Sequence, residues 1–166
     1  MTIDTLFGPE EVVARPRSIK FKQIRAVYET LTVNETTTNY LKPNTRYTSA
    51  SQVQVTFSFL KNETREYFLV LHCDGKNRII AVDVSSIGSL NQSIVHPREI
   101  YKTALLSSAA AIILVHNHPT GDPTPSTEDM TITRRITEAG ELLGIRVLDH
   151  IIIGDNYYSF AENGHM

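Results

Sequence analysis

The chain reads as an α/β protein, a single mixed-sheet domain flanked by helices, and three observations predict it. Residues 66–73 (E-Y-F-L-V-L-H-C) and 78–85 (R-I-I-A-V-D-V-S) are apolar, β-branched runs joined by Asp74-Gly-Lys-Asn77, a hairpin signal of the Asp-Gly type. Residues 108–115 (S-A-A-A-I-I-L-V) form a third short apolar run, small and then β-branched, of the kind buried on both faces of a sheet. Stretches with helical spacing, 96–107 and 126–143, alternate with these runs. Alternating strands and helices place helices against a largely buried sheet.

Taken in order, residues 1–16 carry Gly8, Pro9 and Pro16 and little periodicity beyond Leu6, Phe7, Val12 and Val13, which predicts an arm docked by those side chains. Residues 17–31 alternate Ile19 and Phe21 with Lys20 and Lys22, then continue through Ile24, Ala26 and Tyr28, which predicts an edge strand with a basic outer face. Arg15, Arg17, Lys20, Lys22 and Arg25 are the densest basic run. They suit either a phosphate-contacting strip or, more plainly, lysines that discourage pairing with another chain. Residues 34–47, threonine-rich around Pro43, read as loop. A boundary at 47/48 then separates an N-terminal arm (1–47) from the main domain (48–166).

Within 48–60, Val53, Val55, Phe57 and Phe59 alternate as in a strand, whereas Ser49 and Ser51 stand where helix caps stand, and we read a helix. In 96–107, Pro97 takes the first helical position and Ile100, Ala104 and Leu105 share a face. After the third strand, Pro119, Gly121, Pro123 and Pro125 stiffen a loop. Ser126 is the N-cap of the next helix and Gly144 its stop. Residues 146–154 and 157–161 close the chain as strands around Asp155-Asn156, and no internal repeat interrupts this order.

The chemistry concentrates where the third strand ends. His116 and His118 stand two apart, ten residues follow, and then comes Asp129. On an extended chain alternate side chains share a face, so the two imidazoles point the same way from Cα atoms roughly 7 Å apart. A proline-fixed loop can fold back and bring Asp129, on a helix start, to the same point. Two neutral imidazoles and a carboxylate are the ligand set of a catalytic zinc site, which keeps a fourth position open. The plainer alternative makes Ser126 and Asp129 a capping pair, His116 and His118 solvated loop residues, and Asp122-Pro-Thr-Pro ordinary turn chemistry.

The wording His-Asn-His-Pro-Thr-Gly-Asp-Pro-Thr-Pro-Ser-x-x-Asp, from His116 to Asp129, resembles the RadC-like branch of the JAMM/MPN (JAB) metalloprotease superfamily. So do Asn77-Arg-Ile-Ile80, Val95-His-Pro-Arg-Glu-Ile100 and Leu143-Gly-Ile-Arg-Val-Leu-Asp-His150, and the resemblance spans residues 64–154. It implies the JAB/MPN (cytidine-deaminase-like) architecture, with residues 48–60 helical. It also implies Zn2+ on His116, His118 and Asp129, with a glutamate just ahead of an apolar strand as general base. Glu66 matches that position, with Glu63 as the fallback; composition alone makes Glu66 an exposed strand-end carboxylate. Ser126 would hydrogen-bond the oxyanion, a role worth roughly 3 kcal/mol, against about 1 kcal/mol for a helix cap. One hydroxyl cannot fully serve both, and a zinc-bound Asp129 would not be free to close a capping box.

The implied function is a zinc-dependent hydrolase, a metallopeptidase or isopeptidase using a metal-activated water on an amide bond. The alternative follows the branch's traditional label: a non-catalytic, DNA-repair-associated binding or scaffold protein. The helix-hairpin-helix segment that usually precedes the domain is not evident in residues 1–60. Composition narrows the choice further. The formal charge is −2 with a pI near 6.3, so no net positive field draws the whole chain onto nucleic acid or an anionic membrane. Cys73 is the only cysteine, a small core residue that suits a reducing cytoplasm. No apolar run approaches the roughly 20 residues of a membrane span, and residues 1–14 lack a signal-peptide pattern, which predicts a soluble cytoplasmic protein without a membrane partner. Of the other histidines, His72 lies in a strand, His96 opens a helix and His165 is in the tail. His150 reads as a satisfied core residue or a support for the ligands.

Overall fold

The computed structural model describes residues 27–29, 44–88 and 95–166. The predicted arm, most of the 17–31 strand and the basic run from Arg15 to Arg25 lie outside the described residues.

Among the described residues five strands form one sheet, β1 (Glu66–Cys73), β2 (Ile79–Gly88), β3 (Ala111–Asn117), β4 (Arg146–Ile153) and β5 (Tyr157–Ser159), in the order β2-β1-β3-β4-β5. The β3–β4 pair is parallel and the other pairs are antiparallel. The helices are α1 (Ala50–Thr56), α2 (Pro97–Leu106) and α3 (Thr127–Leu143), and α3 makes the crossover from β3 to β4. This is the mixed α/β sheet predicted from the sequence. Every residue of β3 is buried, because helices cover both faces of the strand at the centre of the sheet.

Alternation along the strands sorts side chains between two cores. Leu69, Leu71, Ile113, Val115, Ile151 and Ile153 pack with α1 residues Ala50 and Val53 and with Phe57 and Leu60. Cys73 belongs to that face, and burial pushes its thiol up to about 12. Phe68, Val70, Ile112 and Leu114 pack on the other face against Ile100, Tyr101 and Ala104 of α2 and Ile132 and Ile136 of α3. Each such Leu or Ile contributes roughly 1.5–3 kcal/mol by burial.

Several expectations are refined. Residues 50–56 are helical, followed by a 3₁₀ turn (Ser58–Asn62), because Ala50, Val53, Phe57 and Leu60 recur at helical spacing beneath the alternation, while Phe59 is left exposed. Ser49 is the N-cap residue, but its hydroxyl pairs with Ser51 Oγ at 2.9 Å and caps no backbone amide. In the β1–β2 hairpin the left-handed residue is Asn77, at φ 58°, and not Gly75. Asp74 Oδ1 fixes this turn by accepting from the amides of Lys76 and Arg78. The predicted 34–47 loop ends in structure, since Arg46 bridges Arg78 and the Asn44 amide donates to Ile79 O at 2.8 Å. On α2 the expected Leu105 is 54 % exposed and Tyr101 is buried instead, its hydroxyl donating to Ile136 O of α3 at 2.7 Å. β2 runs on to Gly88, and β5 stops at Ser159, before a turn in which the Ala161 amide donates to Asp149 Oδ1. Gly144 ends α3 at φ 71°, as expected. Among the described residues no helix is long and apolar enough to cross a membrane.

Candidate metal centre

His116 is the penultimate residue of β3, and His118 follows the strand on the same face, toward α2 and α3. The His118 amide donates to Ile153 O at 2.9 Å, carrying the β3–β4 ladder one step past the strand. The loop then turns back. The Gly121 amide donates to His118 O at 3.0 Å, and Asp122 Oδ1 accepts from both the amide and the hydroxyl of Thr124. Gly121, at φ 84°, presses onto Gly154 between β4 and β5, and the Asp155 amide donates to Gly121 O at 2.7 Å. A Cβ on Gly154 would overlap Gly121 O and lie 2.8 Å from Gly121 C and 3.0 Å from Pro123 N, so the approach requires glycine there. This clamp returns the chain to Ser126 and the start of α3, where Asp129 is the third helical residue.

His116 Nε2 lies 3.1 Å from His118 Nε2 and 3.1 Å from Asp129 Oδ1, and His118 Nε2 is 3.4 Å from Asp129 Oδ2. Donors at about 2.0–2.1 Å from a tetrahedral ion stand roughly 3.3 Å apart. These three residues can hold a metal ion. His116 and Asp129 are fully buried, which overturns the solvated-loop alternative for His116.

The expected conflict at Asp129 is resolved by its two oxygens. Oδ2 accepts from the amide and the hydroxyl of Ser126, each at 2.7 Å, and Ser126 Oγ accepts from the Asp129 amide at 3.1 Å, so the capping box is closed. Oδ1 is buried without a hydrogen-bond partner among the described residues and points toward His116 Nε2. A buried carboxylate oxygen left bare costs of order 1–3 kcal/mol or more, and a cation between it and the imidazoles removes that cost. The donor set therefore fits a metal. Burial opposes ionisation of Asp129, but the two histidines outweigh it and hold its carboxyl far below the usual range. Asp129, in turn, raises the pKa of His118, helped by the Asp122 carbonyl, which takes the His118 Nδ1 hydrogen at 2.7 Å.

Behind the ligands, His116 Nδ1 lies 2.8 Å from His150 Nε2, and His150 Nδ1 lies 2.6 Å from Thr133 Oγ1. His150 touches a ligand and is not one of the converging three. Burial, with His116 beside it, pushes its pKa well below the ordinary value, so it is neutral.

Glu66 opens β1 on the face of Phe68, whose ring stacks on His116 at 5.8 Å between centroids. Phe68 pairs with His116, Glu66 lies two residues further along the same face, and its charge helps to raise the pKa of His118. Glu66 lines an open cleft of about 340 Å³ with Thr64, Arg65, Gly88 and Pro119. Glu63 ends the 3₁₀ turn and does not line that cleft.

Asn117 was not singled out in the sequence. It is fully buried, and its amide accepts from the Tyr67 amide at 2.7 Å and donates to Arg65 O at 3.0 Å. Both groups flank Glu66, so Asn117 fixes the backbone that presents it. Its position between the two histidines is the only signal the sequence carries.

The RadC-like JAB domain family model matches residues 47–165. The chain is 66 % identical over 121 residues to a UPF0758 protein of Pelobacter propionicus, covering 72 % of this chain and 53 % of that protein. Against a UPF0758 protein of Geotalea uraniireducens it is 63 % identical over 123 residues, covering 73 % of this chain and 54 % of the other. Against one of Methanosarcina mazei it is 47 % identical over 147 residues, covering 87 % and 63 %. The chain thus spans about half the length of the first two relatives. With the mixed sheet and the His-His-Asp cluster in place, these matches establish that the chain belongs to the RadC-like JAB domain family.

Proposed function

We propose that the chain is a zinc-dependent hydrolase acting on an amide bond of a peptide or isopeptide, with His116, His118 and Asp129 as ligands. The observation that carries this reading is Asp129 Oδ1, a buried carboxylate oxygen without a hydrogen-bond partner among the described residues, 3.1 Å from His116 Nε2, in a carboxylate that His118 Nε2 also approaches at 3.4 Å. When bound there, zinc supplies Lewis acidity and brings the pKa of water down to about 7.

The remaining work falls to the chain's own groups. The cleft beside Glu66 receives the scissile amide, and the Glu66 carboxylate takes a proton from the attacking water and returns it to the departing amine. Asn117 holds the Glu66 backbone in register, and Phe68 covers His116 against solvent. To serve an oxyanion, Ser126 Oγ must turn its hydrogen from Asp129 Oδ2, which keeps the Ser126 amide as a donor.

The test is elemental analysis of the purified chain and of Asp129→Ala after mild dialysis, followed by a screen of amide and isopeptide substrates. The expected result is about one zinc per chain in the parent and none in Asp129→Ala. Glu66→Gln should keep the zinc and lose turnover. A parent chain that takes up no zinc when it is supplied refutes the metal, and full turnover in Glu66→Gln refutes the base.

A further inference from the structure

We propose that Thr133 and His150 are positioning residues that fix His116 as its Nδ1–H tautomer, leaving Nε2 bare toward the metal position. This rests on the metal reading above and says how the chain prepares one ligand for it.

The assignment follows from counting hydrogens. Thr133 Oγ1 has one, and this oxygen lies 2.6 Å from the Asp129 carbonyl oxygen, which can only accept, so the hydrogen points there. With that hydrogen committed, Oγ1 must accept at its second contact, 2.6 Å from His150 Nδ1. His150 therefore carries its hydrogen on Nδ1 and a lone pair on Nε2. It cannot turn away, being fully buried between Phe68 at 5.6 Å and Phe160, stacked at 4.8 Å. His116 Nδ1, 2.8 Å from that lone pair, must then donate. The reverse order leaves two oxygens 2.6 Å apart with no hydrogen between them. It also puts a hydrogen on His116 Nε2, where a metal would have to displace it.

The chain of contacts begins at the backbone of the Asp129 ligand and ends at the ring of the His116 ligand. Two ligands from different elements are thus set by one internal relay. Removing such outer partners lowers metal affinity about 10- to 100-fold in comparable sites.

Thr133→Val keeps the branched shape and deletes the hydroxyl. In the full chain it should weaken zinc binding about tenfold or more in competition with a chromophoric chelator, and Thr133→Ser should restore it. Nitrogen-15 histidine NMR of the metal-free protein gives a second readout: His116 should be the Nδ1–H tautomer in the parent and gain the Nε2–H form in Thr133→Val. An Nε2–H His116 in the parent overturns the relay without recourse to any variant. Zinc affinity within about twofold of the parent in a folded Thr133→Val chain overturns it as well. A parent that shows the Nδ1–H tautomer but takes up no zinc refutes the proposed function and leaves the relay standing.

Discussion

Gly154→Ala puts a single methyl group where the metal loop crosses the end of the sheet. The three atoms nearest the new Cβ are all backbone: it overlaps Gly121 O and comes within 2.8 Å of Gly121 C and 3.0 Å of Pro123 N. No side chain can rotate out of the way, so loop and strand end must separate by about 1 Å to reach ordinary contact. Overpacking of this kind costs about 1–3 kcal/mol. The separation also stretches the 2.7 Å hydrogen bond from the Asp155 amide to Gly121 O, adding about 1 kcal/mol. A total of about 2–4 kcal/mol lowers the melting temperature by roughly 5–15 °C in a domain of this size. Because the loop carries His118, zinc affinity should fall with it. Thermal unfolding followed by circular dichroism, with and without zinc, measures both. Gly75→Ala is the control, since nothing lies within 4 Å of its Cβ, and it should change stability by less than about 0.5 kcal/mol. A Gly154→Ala chain melting within 2 °C of the parent, measured to about 1 °C, would show that the loop is not clamped there.

Asn117→Ala leaves the Tyr67 amide and Arg65 carbonyl without their partner and should cost about 1–3 kcal/mol in urea unfolding. Zinc affinity should hold within a few fold, because no ligand moves with that backbone. At Asp74, hydrogen bonds from Arg78 hold the carboxyl at about 2, below its ordinary value of 3.8. A depressed folded-state pKa stabilises above the unfolded pKa and is lost as pH falls through the folded one. Asp74→Asn should therefore lower the melting temperature at pH 6 and have little effect near pH 2; an equal drop at both would refute the assignment.

The convergence of His116, His118 and Asp129 was legible because its spacing is local: strand alternation aligns His116 with His118, and the capping pattern places Asp129 on a helix start. What the spacing does not show is that a carboxylate has two oxygens, so the capping box occupies Oδ2 and leaves Oδ1 open to a metal ion. The helix read over 48–60 forms at Ala50–Thr56 despite the alternating pattern, because Ala50, Val53, Phe57 and Leu60 are the buried positions while Phe59 is not. On α2, Tyr101 and Leu105 lie one turn apart on the same side of the Ile100–Ala104 arc, and the docking of α3, through Tyr101 Oη to Ile136 O, covers Tyr101. Asn117 and Thr133 escaped notice for a related reason. Their partners, Tyr67 and His150, lie far along the chain, and single-residue chemistry does not announce a contact.

All three ligands lie within residues 116–129, and the turn between them contains Pro119, Pro123 and Pro125. Such a short, stiff loop loses little chain entropy on closing. The His-His-Asp half of the candidate centre is thus a transplantable cassette, a strand end, a loop and a helix start that another parallel βαβ unit can host. Glu66 does not travel with it, because it arrives on the neighbouring antiparallel strand. On the proposed reading, exchanging that one strand would remove the base and leave the His-His-Asp cluster in place.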